Sequence, residues 1–407
     1  MSALLAGRSL AAPDAVRVAR STPQLDALAD SWTAIGVGYV DAERDYFSAV
    51  AQHREEVLHP HVIVLGDDDG PRSLAVGWVE QSRLACRIGY RAVYRPALQI
   101  LRIAHGGIAG VTDKESAAAV VRELNRALAN GEADVLLVPA VRIDSPLDLA
   151  LRGLSGRLRV ERPSRPSVHR TLALPATYDE FLARRDAKSR YNLKKTNVKL
   201  EKTFGDRLDV SVLARPESFE RIFSDLECVA AKAYQRGLRV GFADTPDRRA
   251  YVKVALGRGE FRAWVLSLDG VPIAFWQGIE RGRTFVLSNA GYDPEYGRFG
   301  VGTYVQMRMF RDLIEDPLVD VVDFGWGDAD YKARFGTESW LEHDVLIFAP
   351  SFKGVRVRLL RGVVLGVDRV ARRAADRLGV RDAVKRVWRG RLGRSASAEP
   401  GPLHSAV

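Results

Sequence analysis

Three glycines, Gly297, Gly300 and Gly302, lie within six residues, between a strand-like run and a helix-like run. Glycine lets the backbone approach a ligand closely, and the N–H groups at a helix N-terminus attract anions, helped by the positive end of the helix dipole. The stretch RTFVLSNAGYDPEYGRFGVGTYVQMRMFRDLIE, residues 283–315, therefore predicts a phosphate-binding loop followed by an amphipathic helix that is capped by Thr303. A glycine-rich turn without a ligand is the alternative.

Two nucleotide-binding motifs are excluded by the order of the loop residues. The order here is G-x-x-G-x-G, whereas a dinucleotide-binding turn requires G-x-G-x-x-G with an acidic residue further along a βαβ unit. No G-K-[ST] follows the loop, which excludes a P-loop. Asp323-Phe324-Gly325 reproduces the kinase D-F-G triplet, but no V-A-I-K strand or H-R-D loop accompanies it, so we interpret it as a chance match.

A similar order of strands and helices runs through the chain twice. In the first half, VRVAR, HVIVLG, SLAVGWVE, ALQILRIAHGGIAG, ADVLLVPA and VHRTLAL predict strands, and DYFSAVAQHREEV, KESAAAVVRELNRALANG and SPLDLALRG predict helices. The second half begins with a long basic helix that breaks near Ala187, and it contains a hairpin with an Asp269-Gly270 turn. Hairpins mixed with helical crossovers predict an α/β fold with a mixed sheet, and a length of 407 residues predicts two or three domains.

The positive charge of the chain is concentrated at its end. Residues 351–407 contain fourteen Lys and Arg against four Asp and Glu, which accounts for the whole net charge of +10. The rest of the chain is neutral in sum, so we expect no specific nucleic-acid partner. The segment 355–392 is basic and partly amphipathic, which predicts peripheral contact with an anionic membrane, with docking on the protein body as the alternative.

The cysteine content and the apolar runs bear on the cellular location. Cys86 and Cys228 lie far apart, which disfavours a disulfide and predicts a reducing, cytoplasmic environment. No apolar run approaches the ~20 residues that cross a bilayer, and we expect no signal peptide at the N-terminus. His53, His59 and His61 match no metal-binding spacing, so we expect no metal ion.

The glycine loop resembles the acyl-CoA pyrophosphate loop of the GNAT superfamily, whose usual pattern is [QR]-x-x-G-x-[GA]. Gly297 occupies the Gln/Arg slot here, and Arg298 is displaced by one residue. The segments SRYNLKKTNVKLEK, LDGVPIAFWQG, GYDPEYGRFGVGT and VDFGWGDADYKARFG occur in this order over roughly residues 180–340. Together they are similar to the acetyltransferase domain of CelD-like proteins of exopolysaccharide biosynthesis, a family related to the FemABX transferases with two GNAT-like domains in tandem.

This resemblance implies a domain plan and a donor. The plan comprises a GNAT-like domain at residues 1–172, either vestigial or contributing to the acceptor cleft, and a GNAT acyltransferase domain at 176–350. A basic amphipathic helix at 351–394 and a disordered end at 395–407 follow. The implied donor is acetyl-CoA or another acyl-CoA, held by the loop and by the splayed strand before it. The residues implied in donor binding are Arg298, Phe299, Gly300, Val301, Gly302 and Thr303 of the loop, and Asn289 and Gly291 of the strand, where Gly291 suits a β-bulge.

The resemblance also implies catalytic residues after the next strand. Tyr331 corresponds to a general acid for the leaving thiolate, with a packed aromatic residue as the alternative. Lys332 corresponds to the Lys of a K-x-x-F element, which steadies an oxyanion or contacts the acceptor. Asp328 and Asp330 are candidates to accept a proton, or simply to cap a short helix.

The resemblance also places the basic helix beside an acceptor cleft, and residue chemistry indicates what could bind there. Arg190 and Asn192 lie on the basic helix and suit an anionic acceptor such as a nucleotide-sugar or a lipid-linked phosphate. Tyr234, Trp276 and Gln277 suit a sugar ring. The alternatives are a solvated basic face for the helix and core positions for the aromatic residues.

Three functions are compatible with these features. The first is an acyl-CoA-dependent N- or O-acyltransferase for a sugar or an envelope precursor. The second is a Fem-type transferase that uses aminoacyl-tRNA, although no long helical insertion of the Fem kind is present. The third is a GNAT-like scaffold without catalytic activity.

Overall fold

The computed structural model describes residues 15–89, 91–154, 160–161, 166–233, 241–327 and 329–377. The strands in these ranges are β1 (Ala15–Ala19), β2 (Val57–Asp67), β3 (Gly70–Arg83), β4 (Cys86–Ile88), β5 (Arg91–Tyr94), β6 (Ala97–Ala109), β7 (Val135–Arg142), β8 (Val160–Glu161), β9 (Ser167–Ala173), β10 (Leu208–Leu213), β11 (Phe261–Leu268), β12 (Val271–Arg281), β13 (Thr284–Tyr292), β14 (Val321–Asp323) and β15 (Glu338–Phe348). The α-helices are α1 (Thr22–Asp26), α2 (Ala29–Ile35), α3 (Arg44–His53), α4 (Lys114–Ala129), α5 (Pro146–Gly153), α6 (Tyr178–Ala183), α7 (Ala187–Phe204), α8 (Phe219–Lys232), α9 (Pro246–Gly257), α10 (Val301–Glu315), α11 (Asp330–Phe335) and α12 (Phe352–Arg377).

One continuous mixed sheet runs through the molecule, in the order β1-β2-β3-β6-β7-β15-β9-β14-β13-β12-β11-β10. Strand β8 pairs with β15, and β4 and β5 form a separate hairpin. Most neighbours are antiparallel, whereas β6–β7 and β13–β14 are parallel. The predicted mixed α/β sheet is therefore confirmed.

The two halves of the chain exchange strands at the centre of the sheet. Strand β9 comes from the first half but lies between β14 and β15. Strand β15 comes from the second half but pairs with β7 of the first, with Val345 opposite Val138. The domain border proposed near residues 172–176 therefore lies at the end of a strand that belongs to the sheet of the other half.

Several local predictions hold because their signals are local. The β11–β12 hairpin turns at Asp269 and Gly270, both with positive φ, as an Asp-Gly turn requires. The basic helix breaks as predicted into α6 and α7, and Asp186 caps α7 by accepting from the Ser189 amide. Among the described elements, the β4–β5 hairpin, the short strand β8 and helix α9 were not predicted.

Helices cover both faces of the second half of the sheet. Helices α6, α7 and α10 cover one face, where Phe181, Leu193 and Phe310 belong to one buried cluster. Helices α8 and α9 cover the other face. Helix α3, from the first half, packs against α9, so residues from both halves of the chain meet on that face.

Helix α12 lies against the β4–β5 hairpin and β15. It covers residues 352–377 of the predicted basic helix at 351–394, and the rest of that segment and the predicted disordered end lie outside the described residues. No helix in the described ranges combines the length and the apolarity that are needed to cross a membrane.

Candidate active site

The predicted phosphate loop connects β13 to α10. A 3₁₀ turn at Pro294–Phe299 leads to Gly300, which adopts a left-handed conformation with φ of 75°. A Cβ atom at this position would lie 2.6 Å from Cγ2 of Thr196 on α7. Both the backbone conformation and the close approach to α7 therefore require glycine at residue 300.

Gly300 is also the N-cap of α10, so the prediction that Thr303 caps this helix is wrong. Thr303 lies in the first turn instead. Gly300 has no side chain, and it therefore makes no capping bond to the amides of Val301, Gly302 and Thr303. These first-turn N–H groups lack intrahelical partners and lie at the positive end of the dipole, which is the arrangement that binds anions.

Cationic side chains surround the loop. The Arg298 guanidinium lies over the Phe299 ring at 4.8 Å, and the ammonium of Lys199 lies over the same ring at 5.1 Å. Lys199 also donates to the Arg298 carbonyl at 2.9 Å, which ties the loop to α7. The displaced Arg298 thus remains beside the loop, with a second cation from α7.

Strand β13 leaves its neighbour beside this loop. It pairs with β14 only over Thr284–Val286, and beyond that point its pairing continues with β12 alone. A bulge lies at Ser288, because Gln277 pairs with Asn289 and Gly278 pairs with Leu287. Such a gap between parallel strands exposes backbone groups of β13 that a thioester carbonyl can contact.

The predicted bulge at Gly291 is wrong. Gly291 stays in register with Phe275, and a Cβ atom there would lie 2.8 Å from the Phe275 ring. The physical reason for this glycine is therefore close packing on an aromatic ring. The separation of the two strands starts earlier than Asn289, at Leu287.

Neighbouring residues of β12 face opposite sides of the sheet. Trp276 donates to the Gly302 carbonyl at 2.9 Å, so it lies under the phosphate loop rather than in an acceptor cleft. Gln277 faces the other side and donates to Oδ1 of Asn289 at 3.0 Å. The same Asn289 oxygen accepts from Arg248 on α9, which joins Gln277 and Asn289 into one buried polar group.

Tyr331 lies at the start of α11, beside the gap. Its ring meets the rings of Trp276 and Phe324 edge-on, with centroids 5.1 and 6.0 Å away. Through Trp276 it belongs to the same packed unit as the loop. Asp330 begins α11 without capping it, since Ala329 is the N-cap, and the candidate Asp328 lies outside the described residues.

Lys332 is buried and its ammonium holds a turn together. It donates to the carbonyls of Gly325 at 3.0 Å and Trp326 at 2.9 Å. This turn directly follows β14, and a Cβ atom at Gly325 would lie 3.5 Å from the Leu287 carbonyl oxygen of β13. The lysine thus sets the backbone at one wall of the gap and brings a positive charge there.

Replacing Lys332 with Met is expected to lower the free energy of unfolding by about 2 kcal/mol, because two carbonyls lose a charged donor. Chemical denaturation measures this value. Lys188→Met, at an exposed position on α7, is the matched control and should change little. A Lys332→Met protein of unchanged stability would contradict the structural role of this lysine.

The residues predicted on the acceptor side are not brought together. Arg190 donates to the carbonyls of Ala183 and Arg185, where it closes the break between α6 and α7. Asn192 is exposed on α7. Tyr234 lies outside the described residues.

A buried charged triad at the centre of the sheet was not predicted. His169 of β9 is fully buried and donates to Asp323 of β14 at 2.7 Å and to Glu342 of β15 at 3.2 Å. Trp340 stacks on the imidazole at 4.3 Å and donates to Glu342 at 2.6 Å. Burial opposes the charged imidazole, but the two carboxylates outweigh it and raise the pKa of His169 to about 9.

The triad reaches the edge of the gap. Asp323 is the last residue of β14 and also accepts from the Gly325 amide at 2.7 Å. It thereby fixes the turn that Lys332 holds from the other side. Asp323 is the lone polar residue of β14, but β9 and β15 each contain several polar residues, so no sequence signal singled out His169 or Glu342.

A second polar group lies where the two halves meet. Tyr251 of α9 donates to Asp41 of the first half at 3.0 Å. Burial raises the pKa of Asp41, while the nearby His105 and Arg248 oppose that rise. Burial also raises the pKa of Tyr39, with the charges of the triad carboxylates adding to this effect.

A cleft borders this polar group. It is small and partly open to solvent, with a cavity volume of about 30 Å³. The cleft lies between α3, α9 and strands β11–β13 and includes the bulge residue Ser288. Its polar lining consists of Asp247, Arg248, Tyr251, Gln277 and Ser288. No group of three or more His, Cys, Asp or Glu side chains in the described ranges is placed to hold a metal ion.

Comparison with protein families identifies the second half. Residues 187–333 match the family described as acetyltransferase (GNAT) domain. This part of the chain is therefore a GNAT domain, an acyltransferase unit, and the predicted GNAT resemblance is confirmed. No curated protein sequence matches the chain.

Solved structures share the fold over a longer part of the chain. The crystal structure of FemX matches with a TM-score of 0.53 at 11% identity and covers 81% of this chain and 97% of its own. L-PGS from Bacillus licheniformis matches at 0.48, with 13% identity over 85% of this chain and 97% of its own. A tandem GNAT protein from the clavulanic acid biosynthesis pathway matches at 0.45, with 12% identity over 83% and 99%. The likeness to FemX shows a common fold that extends beyond residues 187–333.

Proposed function

We propose that this GNAT enzyme transfers an acyl group, most simply acetyl, from acyl-CoA to an amine or a hydroxyl of a sugar or an envelope precursor. The observation that supports the donor most is the uncapped α10 N-terminus at Gly300, beside the gap between β13 and β14. A pyrophosphate fits this loop because the backbone amides, Arg298 and Lys199 are all complementary to an anion. The bound acyl-CoA would supply the activated thioester.

The residues around the gap suit direct transfer in a ternary complex. The backbone of β13 beyond Val286 would orient the thioester carbonyl, and Tyr331 would donate a proton to the departing thiolate. The acceptor would enter from the cleft between the halves, on the face of β13 that Arg248 and Gln277 line. Asp41 accepts from the cleft residue Tyr251, and its raised pKa favours taking a proton from the acceptor.

The nature of the acceptor follows from the cleft. A half-buried arginine, Arg248, with polar neighbours favours a small polar molecule or the end of a glycan over an extended apolar chain. We also propose that the protein is CelD-like and that its acceptor is a polysaccharide precursor. The proposed location is the cytoplasm, supported by two free cysteines, Cys86 and Cys228, with contact at the inner face of the membrane through residues 355–392.

Acetyl-CoA is expected to stabilise the protein. A ligand at 100 times its Kd raises the free energy of unfolding by about 2.7 kcal/mol, which a thermal shift assay detects. Release of CoA thiol with a panel of amino sugars and other sugars then tests the acceptor class. Stabilisation by aminoacyl-tRNA alone would support the Fem-type alternative. If neither donor stabilises the protein, the result would favour a GNAT-like scaffold without catalytic activity.

A further inference from the structure

Helix α12 is anchored to the protein by charged side chains. Lys353 pairs with Asp134 at 2.6 Å, and Arg361 donates to Glu161 at 2.6 Å. Asp368 is buried and accepts from the Gly89 amide at 2.7 Å. Together with the buried Val357, the residues 361 and 368 mark one side of the helix as the side that faces the protein.

The opposite side of α12 is apolar and exposed to solvent. Residues three or four apart lie on one side of a helix, and half a turn separates this set from the anchored side. The exposed fractions are 83% for Phe352, 39% for Val355, 54% for Leu359, 65% for Val363, 46% for Val367 and 67% for Val370. We call these six residues the outer stripe. A helix docked on a soluble protein normally shows the reverse arrangement, with its apolar side inward.

The outer stripe is flanked by positive charge. At 100° per residue, Arg356 lies inside the stripe close to one edge. Arg373 lies at the other edge, and Arg369 lies further round beyond that edge. All three are exposed. Asp368, an acidic residue of this helix, faces the protein and accepts there from the Gly89 amide. The sequence after residue 377 adds six Lys and Arg against two acids.

We propose that the outer stripe binds the surface of a bilayer that contains anionic lipids. The apolar side chains would enter the boundary between headgroups and acyl chains, and the flanking arginines would contact lipid phosphates. A second copy of the same stripe is a poorer partner, since a symmetric pairing would bring arginine borders of like charge together. This surface is independent of the acyl-CoA site. It rests on the membrane contact proposed above and assigns that contact to specific residues and to anionic lipid.

Vesicle flotation with the full-length protein tests this surface. The protein should float with vesicles of phosphatidylcholine plus phosphatidylglycerol, bind more weakly at high salt, and bind vesicles of phosphatidylcholine alone at least tenfold more weakly. Leu359→Ser with Val363→Ser, and separately Arg356→Glu with Arg373→Glu, should each reduce binding at least tenfold. Leu318→Ser is the matched control, because Leu318 is 59% exposed in a loop outside α12.

Two outcomes would overturn the proposal. One is wild-type protein that fails to float with anionic vesicles, or floats equally well with neutral ones. The other is a dimer in solution that the Leu359→Ser, Val363→Ser variant converts to a monomer, which would assign the stripe to a second copy. Both double variants should still be stabilised by acetyl-CoA, which shows that they are folded and that the donor site is intact. Failure of membrane binding can therefore be told apart from misfolding and from failure of the acyl-CoA proposal.

Discussion

Replacing Gly300 with Asp is expected to weaken acetyl-CoA binding by at least about 100-fold, which corresponds to ~2.7 kcal/mol. Three effects act together. Residue 300 must adopt a left-handed conformation, its Cβ atom would collide with Thr196, and the new carboxylate would repel the pyrophosphate at the α10 N-terminus. Isothermal titration calorimetry with the wild-type and variant proteins measures the change.

Two further variants separate these effects. Gly300→Ala retains the collision and the conformational strain but adds no charge, so it should weaken binding less than Gly300→Asp. Gly282→Asp introduces the same residue at a φ of 57° with open space around it, in the turn at the opposite end of β13. It should bind acetyl-CoA like the wild type. If Gly300→Asp binds acetyl-CoA as tightly as the wild type, the pyrophosphate does not bind at this loop.

Replacing His169 with Gln is expected to lower the free energy of unfolding by about 3 kcal/mol at neutral pH. The folded-state pKa of His169 is raised from 6.5 to about 9, so the folded protein favours the proton. This contribution is fully present below pH 6.5 and is lost as the pH rises through 9. The difference in unfolding free energy between the wild type and the variant should therefore shrink between pH 6.5 and 10, as measured by urea denaturation.

His53 provides the control for this titration. It is exposed near the end of α3 and contacts the Ala49 carbonyl, with no carboxylate partner given by the structure. His53→Gln should change the free energy of unfolding little, because the side chain is exposed. If the loss of unfolding free energy in His169→Gln stays constant from pH 6.5 to 10, the buried imidazole is neutral and contributes through packing alone.

Local sequence signals predicted much of the fold. The Asp269-Gly270 turn, the break before Ala187 and the glycine loop each depend on a few neighbouring residues with distinct backbone preferences. The GNAT resemblance rested on four such segments, and residues 187–333 match that family. The cap of α10 was predicted one turn too late, because a left-handed glycine ends the preceding 3₁₀ turn and begins the helix.

Features that depend on distant residues were not predictable in this way. Strands β9 and β15 each pair with strands from the other half of the chain. Hydrophobic alternation identifies a strand but does not show which strand it pairs with. His169 lies 154 residues from Asp323 and 173 from Glu342, so nothing in the sequence links the three. Arg248 and Asp41 likewise meet only because α3 packs on α9.

A crystal structure of the protein with acetyl-CoA tests the donor site most directly. We predict that pyrophosphate oxygens lie within hydrogen-bond distance, about 3 Å, of the backbone amides between Val301 and Thr303, with the thioester in the gap between β13 and β14. Acetyl-CoA bound elsewhere on the protein, or these amides left without a phosphate in a fully occupied complex, would contradict this assignment.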